Sequence, residues 1–253
     1  MNKSLPILLI LLSVTISLAV FLFVPAIPQD RAYHDFADQR VFWGIPNFFN
    51  VASNLPLFII GFLGIHQVSQ LNSFGNLLEL RKAYFAFFAG VFLTGMGSAF
   101  YHLSPANDSL VWDRMPMIIA FMALFAIVVG EIISAELANR MLYPLIVLGM
   151  LSVVYWFWSE QNNQGDLRFY GLIQFLPLLL IPIILLAGKT RSIPSAYIWA
   201  LLVSYAAAKM AEFGDLALFQ EFGYLSGHTI KHLLAALGVW FVILGLKKRT
   251  ASV

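Results

Sequence analysis

Eight stretches of this chain are each apolar for about 20 residues, the length an α-helix needs to cross a hydrocarbon layer roughly 30 Å thick. They read as residues 5–24, 47–67, 84–102, 114–133, 141–158, 170–186, 195–211 and 228–246. Each is continuously apolar and rich in Leu, Ile, Ala and Phe, without the short alternating strands of a membrane β-barrel. With 60% hydrophobic and 11% charged residues, the chain also lacks the polar surface of a soluble globule. The expected fold is therefore all-α, a polytopic transmembrane helix bundle. The run 195–211 is the least clear, because Lys209, Glu212 and Asp215 crowd its end.

Lys3 precedes a first run longer than the 7–15 residues usual in a signal peptide, and no Ala-x-Ala-like site follows it. Residues 1–27 thus read as a retained N-terminal helix, an uncleaved signal anchor, and 28–253 as the main domain. If Lys3 is cytoplasmic, the same side receives Arg81, Lys82, Arg140, Lys189, Arg191, Lys247, Lys248 and Arg249. The opposite side receives only Arg31, Arg40, Arg114 and Arg168, so the positive-inside rule places both termini in the cytoplasm. A short chain with few other addresses fits a bacterial inner membrane. The formal charge of +2 is then a signal of topology and gives no support for nucleic-acid binding. No obligate protein partner is evident.

On that topology the polar residues converge on the outer face. His102 ends the third run, Asp113 precedes the fourth, and His228 with His232 opens the last. Residues four apart share one stripe of a helix, about 6 Å apart in depth, which suits two ligands of one metal ion. A third imidazole from another helix leaves the fourth position open, as catalytic zinc requires. With no cysteine in the chain, His and carboxylate are the side-chain ligands available. Each residue also has a plainer reading: His102 as an interfacial hydrogen bonder, Asp113 as an N-cap and Ser98 as a small packing residue. His34 and His66 lack such company and read as structural.

The stretch Gly97-Ser98-Ala99-Phe100-Tyr101-His102, followed after ten residues by Asp113 and then Met115-Pro116-Met117, resembles the Ser-x-x-x-His and Asp-x-x-Pro-Met signature of alkaline ceramidases. His228-Thr229-Ile230-Lys231-His232 is similar to that family's terminal His-x-x-x-His motif, and Asn50-Val51-Ala52-Ser53-Asn54-Leu55 to an element of its first core helix. Adiponectin-receptor-like proteins of the wider superfamily carry the same residue types with a longer gap from first histidine to aspartate. The resemblance implies a seven-helix zinc hydrolase, here with one extra N-terminal helix, in which His102, His228 and His232 hold zinc while Ser98 and Asp113 serve the reaction. It implies hydrolysis of ceramide or a related N-acyl lipid to a long-chain amine and a fatty acid. Family members with a calcium site use an acidic loop, and here Asp35, Asp38 and Asn47 offer oxygen ligands or form a solvated loop.

Other classes are open at this point. A lipid ester hydrolase or a non-enzymatic receptor of the same superfamily would share the site. Lys209, Glu212 and Asp215 suggest either a transporter's polar relay or a salt-bridged helix end. Lys231 raises a retinal-binding reading, weakened by its place within a turn of the helix start, where a lysine can snorkel to the interface.

Overall fold

Backbone polar groups inside hydrocarbon must bond within their own segment, and the apolar runs meet that demand as helices. The computed structural model describes residues 4–70 and 78–248, so the topology residues Lys3 and Arg249 lie outside the described residues. In chain order the helices are α1 (Leu5–Phe23), α2 (Phe48–Ala52), α3 (Leu55–Ser69), α4 (Arg81–Leu103), α5 (Asn107–Ile132) and α6 (Ala135–Gln161). They continue as α7 (Arg168–Ala187), α8 (Ser195–Phe213), α9 (Asp215–Phe222) and α10 (Gly227–Lys247). No strand longer than an isolated bridge, Phe42 with Ile45, occurs among the described residues.

Three boundaries differ most from the sequence expectation, each for a local reason. The second run breaks between α2 and α3, where Pro56 occupies the first turn of α3 and cannot continue a helix from before it. α5 starts at Asn107, two turns ahead of the expected 114, because a polar turn precedes the apolar part. There Ser109 Oγ accepts from Ala106 N and donates to Ser104 O. α6 starts at Ala135, capped by Ser134 Oγ on Leu137 N. Apolar content alone does not register such turns.

Among the described residues seven segments are long and apolar enough to cross a membrane: α1, the broken α2–α3 pair, α4, α5, α6, α7 and α10. α8 has the same length as α1 but carries Lys209 and Glu212, and it packs along α10. α5 is the central helix, with α4 and α6 beside it and α7 against it. α1 lies outside, packed on α7, with 11% of its apolar window buried. The bundle is thus a seven-helix core with one peripheral helix.

The two ends of the bundle differ in chemistry. Arg81, Lys82, Arg140, Lys189, Arg191, Lys247 and Lys248 gather at the end where α3 leaves and α4 begins. There the buried Glu131 carboxylate accepts from Tyr84 OH at 3.0 Å and Ser192 N at 3.0 Å, tying the α7–α8 connection to α5. At the other end a long connection, residues 24–47, crosses the helix termini. Leu167 N donates to Ile27 O (2.8 Å), Gln29 N to Glu160 Oε1 (2.7 Å) and Ala37 N to Asp215 Oδ2 (2.9 Å). His34 completes the attachment, with Nδ1 2.8 Å from Tyr101 OH and Nε2 3.0 Å from Asn107 Oδ1.

The turn into α7 depends on Asp166, whose carboxylate accepts from Arg168 Nε (2.9 Å) and Nη2 (2.8 Å). Those hydrogen bonds hold the Asp166 carboxyl below the usual carboxylate range. The stabilisation they contribute is therefore present at neutral pH and is lost as pH falls below about 4. Asp166→Asn is expected to lower the thermal unfolding midpoint in detergent at pH 7, with the gap to the parent narrowing as the buffer is taken below about pH 4. A gap independent of pH would contradict this.

Candidate metal centre

α4 ends and α10 begins side by side, and their imidazoles meet. His102, His228 and His232 are each at most 4% exposed, and one ring nitrogen from each lies within 4.8 Å of the others. His102 Nε2 and His228 Nε2 are 3.2 Å apart. Two nitrogens at that separation in a dry site need a proton or a cation between them. Around a tetrahedral zinc ion, with Zn–N about 2.0–2.1 Å, neighbouring nitrogens lie about 3.3 Å apart, so the donor set and spacing fit such an ion.

The third imidazole has its tautomer set by a neighbour. Ser53 Oγ donates its one proton to Asn50 O (3.1 Å), so toward His232 Nδ1, 2.8 Å away, it acts as acceptor. Nδ1 then carries the hydrogen, and Nε2 keeps its lone pair for the cluster. Asn50, fully buried, anchors this arrangement, its Oδ1 accepting from Thr229 Oγ1 (3.0 Å) on α10. Asn47 Nδ2 donates to His102 O (2.9 Å), and His228 N donates to Asp215 Oδ1 (2.7 Å). Phe36 closes the top, its ring centroid 4.6 Å from His102 and 4.5 Å from His228.

Ser98 and Asp113 are buried beside the cluster, the serine one turn before His102. Asp113 lies in the second turn of α5, so its reading as an N-cap is corrected. The Ser98 hydroxyl interacts with the Asp113 carboxyl across the α4–α5 contact. Pro116 has no N–H to give to the Trp112 carbonyl, and α4 approaches that freed oxygen at Gly97. A methyl group on Gly97 would stand 1.9 Å from Trp112 O, so only glycine permits the approach that sets Ser98 opposite Asp113.

Ser98, Asp113 and His232 open into one cavity of about 330 Å³, whose deeper wall is formed by Leu57, Phe87, Val91, Leu124, Leu201 and Val239. Ser98, Asp113 and His232 stand at its polar end, and the apolar remainder suits a hydrocarbon chain. A family model described as Ceramidase matches residues 38–212, more than half of the chain.

The chain belongs to the ceramidase family.

Membership implies a hydrolase with a lipid substrate, and the seven apolar segments fit an integral multi-pass membrane protein. The match includes Ser98, His102 and Asp113 but ends before His228 and His232, which join the site through geometry. No curated protein matches the chain.

The remaining candidates take other positions. Asp38 pairs with Arg40, Nη2 to Oδ2 at 2.7 Å, and raises the Arg40 pKa through that hydrogen bond. Asp35 is exposed, and Asn47 Nδ2 donates to His102 O. Lys231 does not snorkel: it turns into the bundle and pairs with Glu212 Oε1 at 2.8 Å. Lys209 meets the other oxygen of Glu212, as its three-residue spacing suggested. Ser53, Phe36 and Asp215 acquire roles at the site that sequence reasoning did not assign. The signal that could have found Ser53 was its place in the Asn50-x-x-Ser53-Asn54 element.

Ser53→Ala would remove the hydroxyl that stands 2.8 Å from His232 Nδ1. It is expected to weaken binding of zinc or cobalt about 10- to 100-fold in chelator competition. Unchanged affinity would remove Ser53 from the support of the site.

Proposed function

We propose that this ceramidase is a zinc-dependent amidohydrolase that cleaves the linear N-acyl bond of ceramide or a related lipid amide. The observation that carries the reading is the buried triad of His102, His228 and His232 beside Asp113, at the polar end of an apolar cavity. Zinc held by the three imidazoles would supply Lewis acidity and lower the pKa of a water to about 7.

The chain's own residues account for the rest. The apolar wall holds the acyl chain so that the amide carbonyl reaches Ser98 and Asp113. Asp113 takes the proton of the attacking water as its oxygen bonds to the carbonyl carbon, and returns it to the amine nitrogen as the C–N bond breaks. Ser98, in contact with Asp113, orients that carboxyl and donates to the oxyanion that develops on the carbonyl. Phe36 shields the triad from bulk water, which strengthens each of these interactions.

Residues 28–253 form the hydrolase domain and 1–27 the extra helix. The basic end of the bundle faces the cytoplasm, with both termini, and the site opens toward the outer face of a bacterial inner membrane. At that depth the amide of a membrane lipid meets the site while its chain runs toward the bilayer centre.

Metal analysis of the purified protein, coupled to an untargeted lipid assay, tests the reading. The parent is expected to hold one zinc and release fatty acid, His228→Ala and His232→Ala to lose both, and Ser98→Ala to keep the metal with its rate reduced about 10²-fold or more. Stoichiometric zinc without fatty-acid release from a broad panel of acyl amides would overturn it. Release from esters but not amides would instead establish the ester-hydrolase alternative.

A further inference from the structure

Three cationic side chains line the cavity, and two of them share one counter-ion. Lys209 and Lys231 both pair with Glu212. Arg114, 5% exposed, has no carboxylate at ion-pair distance among the described residues. Its guanidinium is held in place, with Nη2 donating to Gln29 Oε1 at 2.6 Å and its carbon 4.1 Å from the Trp156 ring centroid and 4.6 Å from that of Tyr170. Nη1 is buried with no hydrogen-bond partner. A buried charged donor left unpaired is costly, and a guanidinium immobilised by stacked rings is preorganised to receive an oxygen acceptor. Counting Asp113 and Glu212 against the three cations, the cavity wall carries a formal excess of one positive charge.

We propose that Arg114 receives the negative group of an N-acyl lipid bearing a single negative charge, with a carboxylate on the amine half of the molecule. The proposal rests on the reading as an N-acyl amidase and specifies its substrate. Arg114 follows Asp113 in α5, so a charge just beyond the amide nitrogen lies at the polar end of the cavity while the acyl chain fills the apolar end. A neutral ceramide brings no charge to the Arg114 guanidinium in the cavity wall, whereas an N-acyl amino acid brings a carboxylate.

The test uses the full chain in detergent and two probes that differ only in charge, N-dodecanoylglycine and N-dodecanoylglycinamide. Binding is read by tryptophan fluorescence in the first seconds after mixing, and release of dodecanoate is followed in parallel. The parent is expected to bind the acid at least about tenfold more tightly than the amide, the range of a charge-assisted hydrogen bond. Arg114→Met is expected to bind both alike, having lost the acid and kept the amide within about twofold, with Arg114→Lys between. Equal affinity of the parent for both probes overturns the proposal, and this comparison needs no variant to fold. Dodecanoate whose affinity falls in Arg114→Met while N-dodecanoylglycine is unaffected would assign Arg114 to the released fatty acid and overturn it as well. Charge-selective binding lost in Arg114→Met without any dodecanoate release would uphold the anion site and overturn the amidase reading.

Discussion

Removing water from three imidazoles leaves the surrounding protein to meet the polar atoms that water would have met, and much of the site end of the bundle answers that demand, although His102 Nδ1 has no hydrogen-bond partner among the described residues. Asn50 answers much of it alone. Its Nδ2 reaches Asp38 O (3.2 Å), its Oδ1 takes Thr229 Oγ1, and its backbone oxygen takes both Ser53 Oγ and Asn54 Nδ2 (2.8 Å). One fully buried side chain thereby joins the 24–47 connection to α10 and, through Ser53, fixes which nitrogen His232 presents. In a low-dielectric interior such a network is strong when complete and costly when broken. The three histidines and the connection that covers them are therefore tied into one network.

A second constraint acts between α4 and α5. Proline in a helix normally wastes a carbonyl, and here the carbonyl that Pro116 releases faces the glycine that lets α4 come closest. The crossing point falls one residue from Ser98 and one from Asp113, so the placement of these two residues is set by backbone contact rather than by flexible side chains. Gly227 works in the same way at the other seam. A methyl there would stand 2.0 Å from Ala211 O, which lets α10 begin against the end of α8 with His228 bonded to Asp215.

Much of this was legible in the sequence because hydrophobic length reports membrane helices directly and four-residue spacing reports a shared helix face. Convergence of His102, Asp113, His228 and His232 at one end followed from those two facts. What the sequence concealed depends on rotation and on distant partners. Ser53 and His232 are 179 residues apart, and nothing in either neighbourhood names the other. Asp113 looked like a helix start because Asn107, Asp108 and Ser109 make a polar turn that apolar counting assigns to the preceding loop. Phe36 sits in a connection read only for its acids, and an isolated aromatic residue there carries no periodic signal.

A core helix with two charged residues inside the bundle shows how composition and packing are reconciled in this chain. α8 is not among the segments apolar enough to cross a membrane, since it carries Lys209 and Glu212, yet both of these line the cavity. Glu212 takes Lys209 from its own helix and Lys231 from α10, so the pairing that neutralises these charges also fastens α8 to the helix carrying two of the three histidines. Lys231 stands one residue before His232, and an ammonium left unpaired there would oppose any cation held by the imidazoles. Glu212 offsets that repulsion while fastening α8 to α10, so the charges that lower the hydropathy of α8 also serve the histidine cluster.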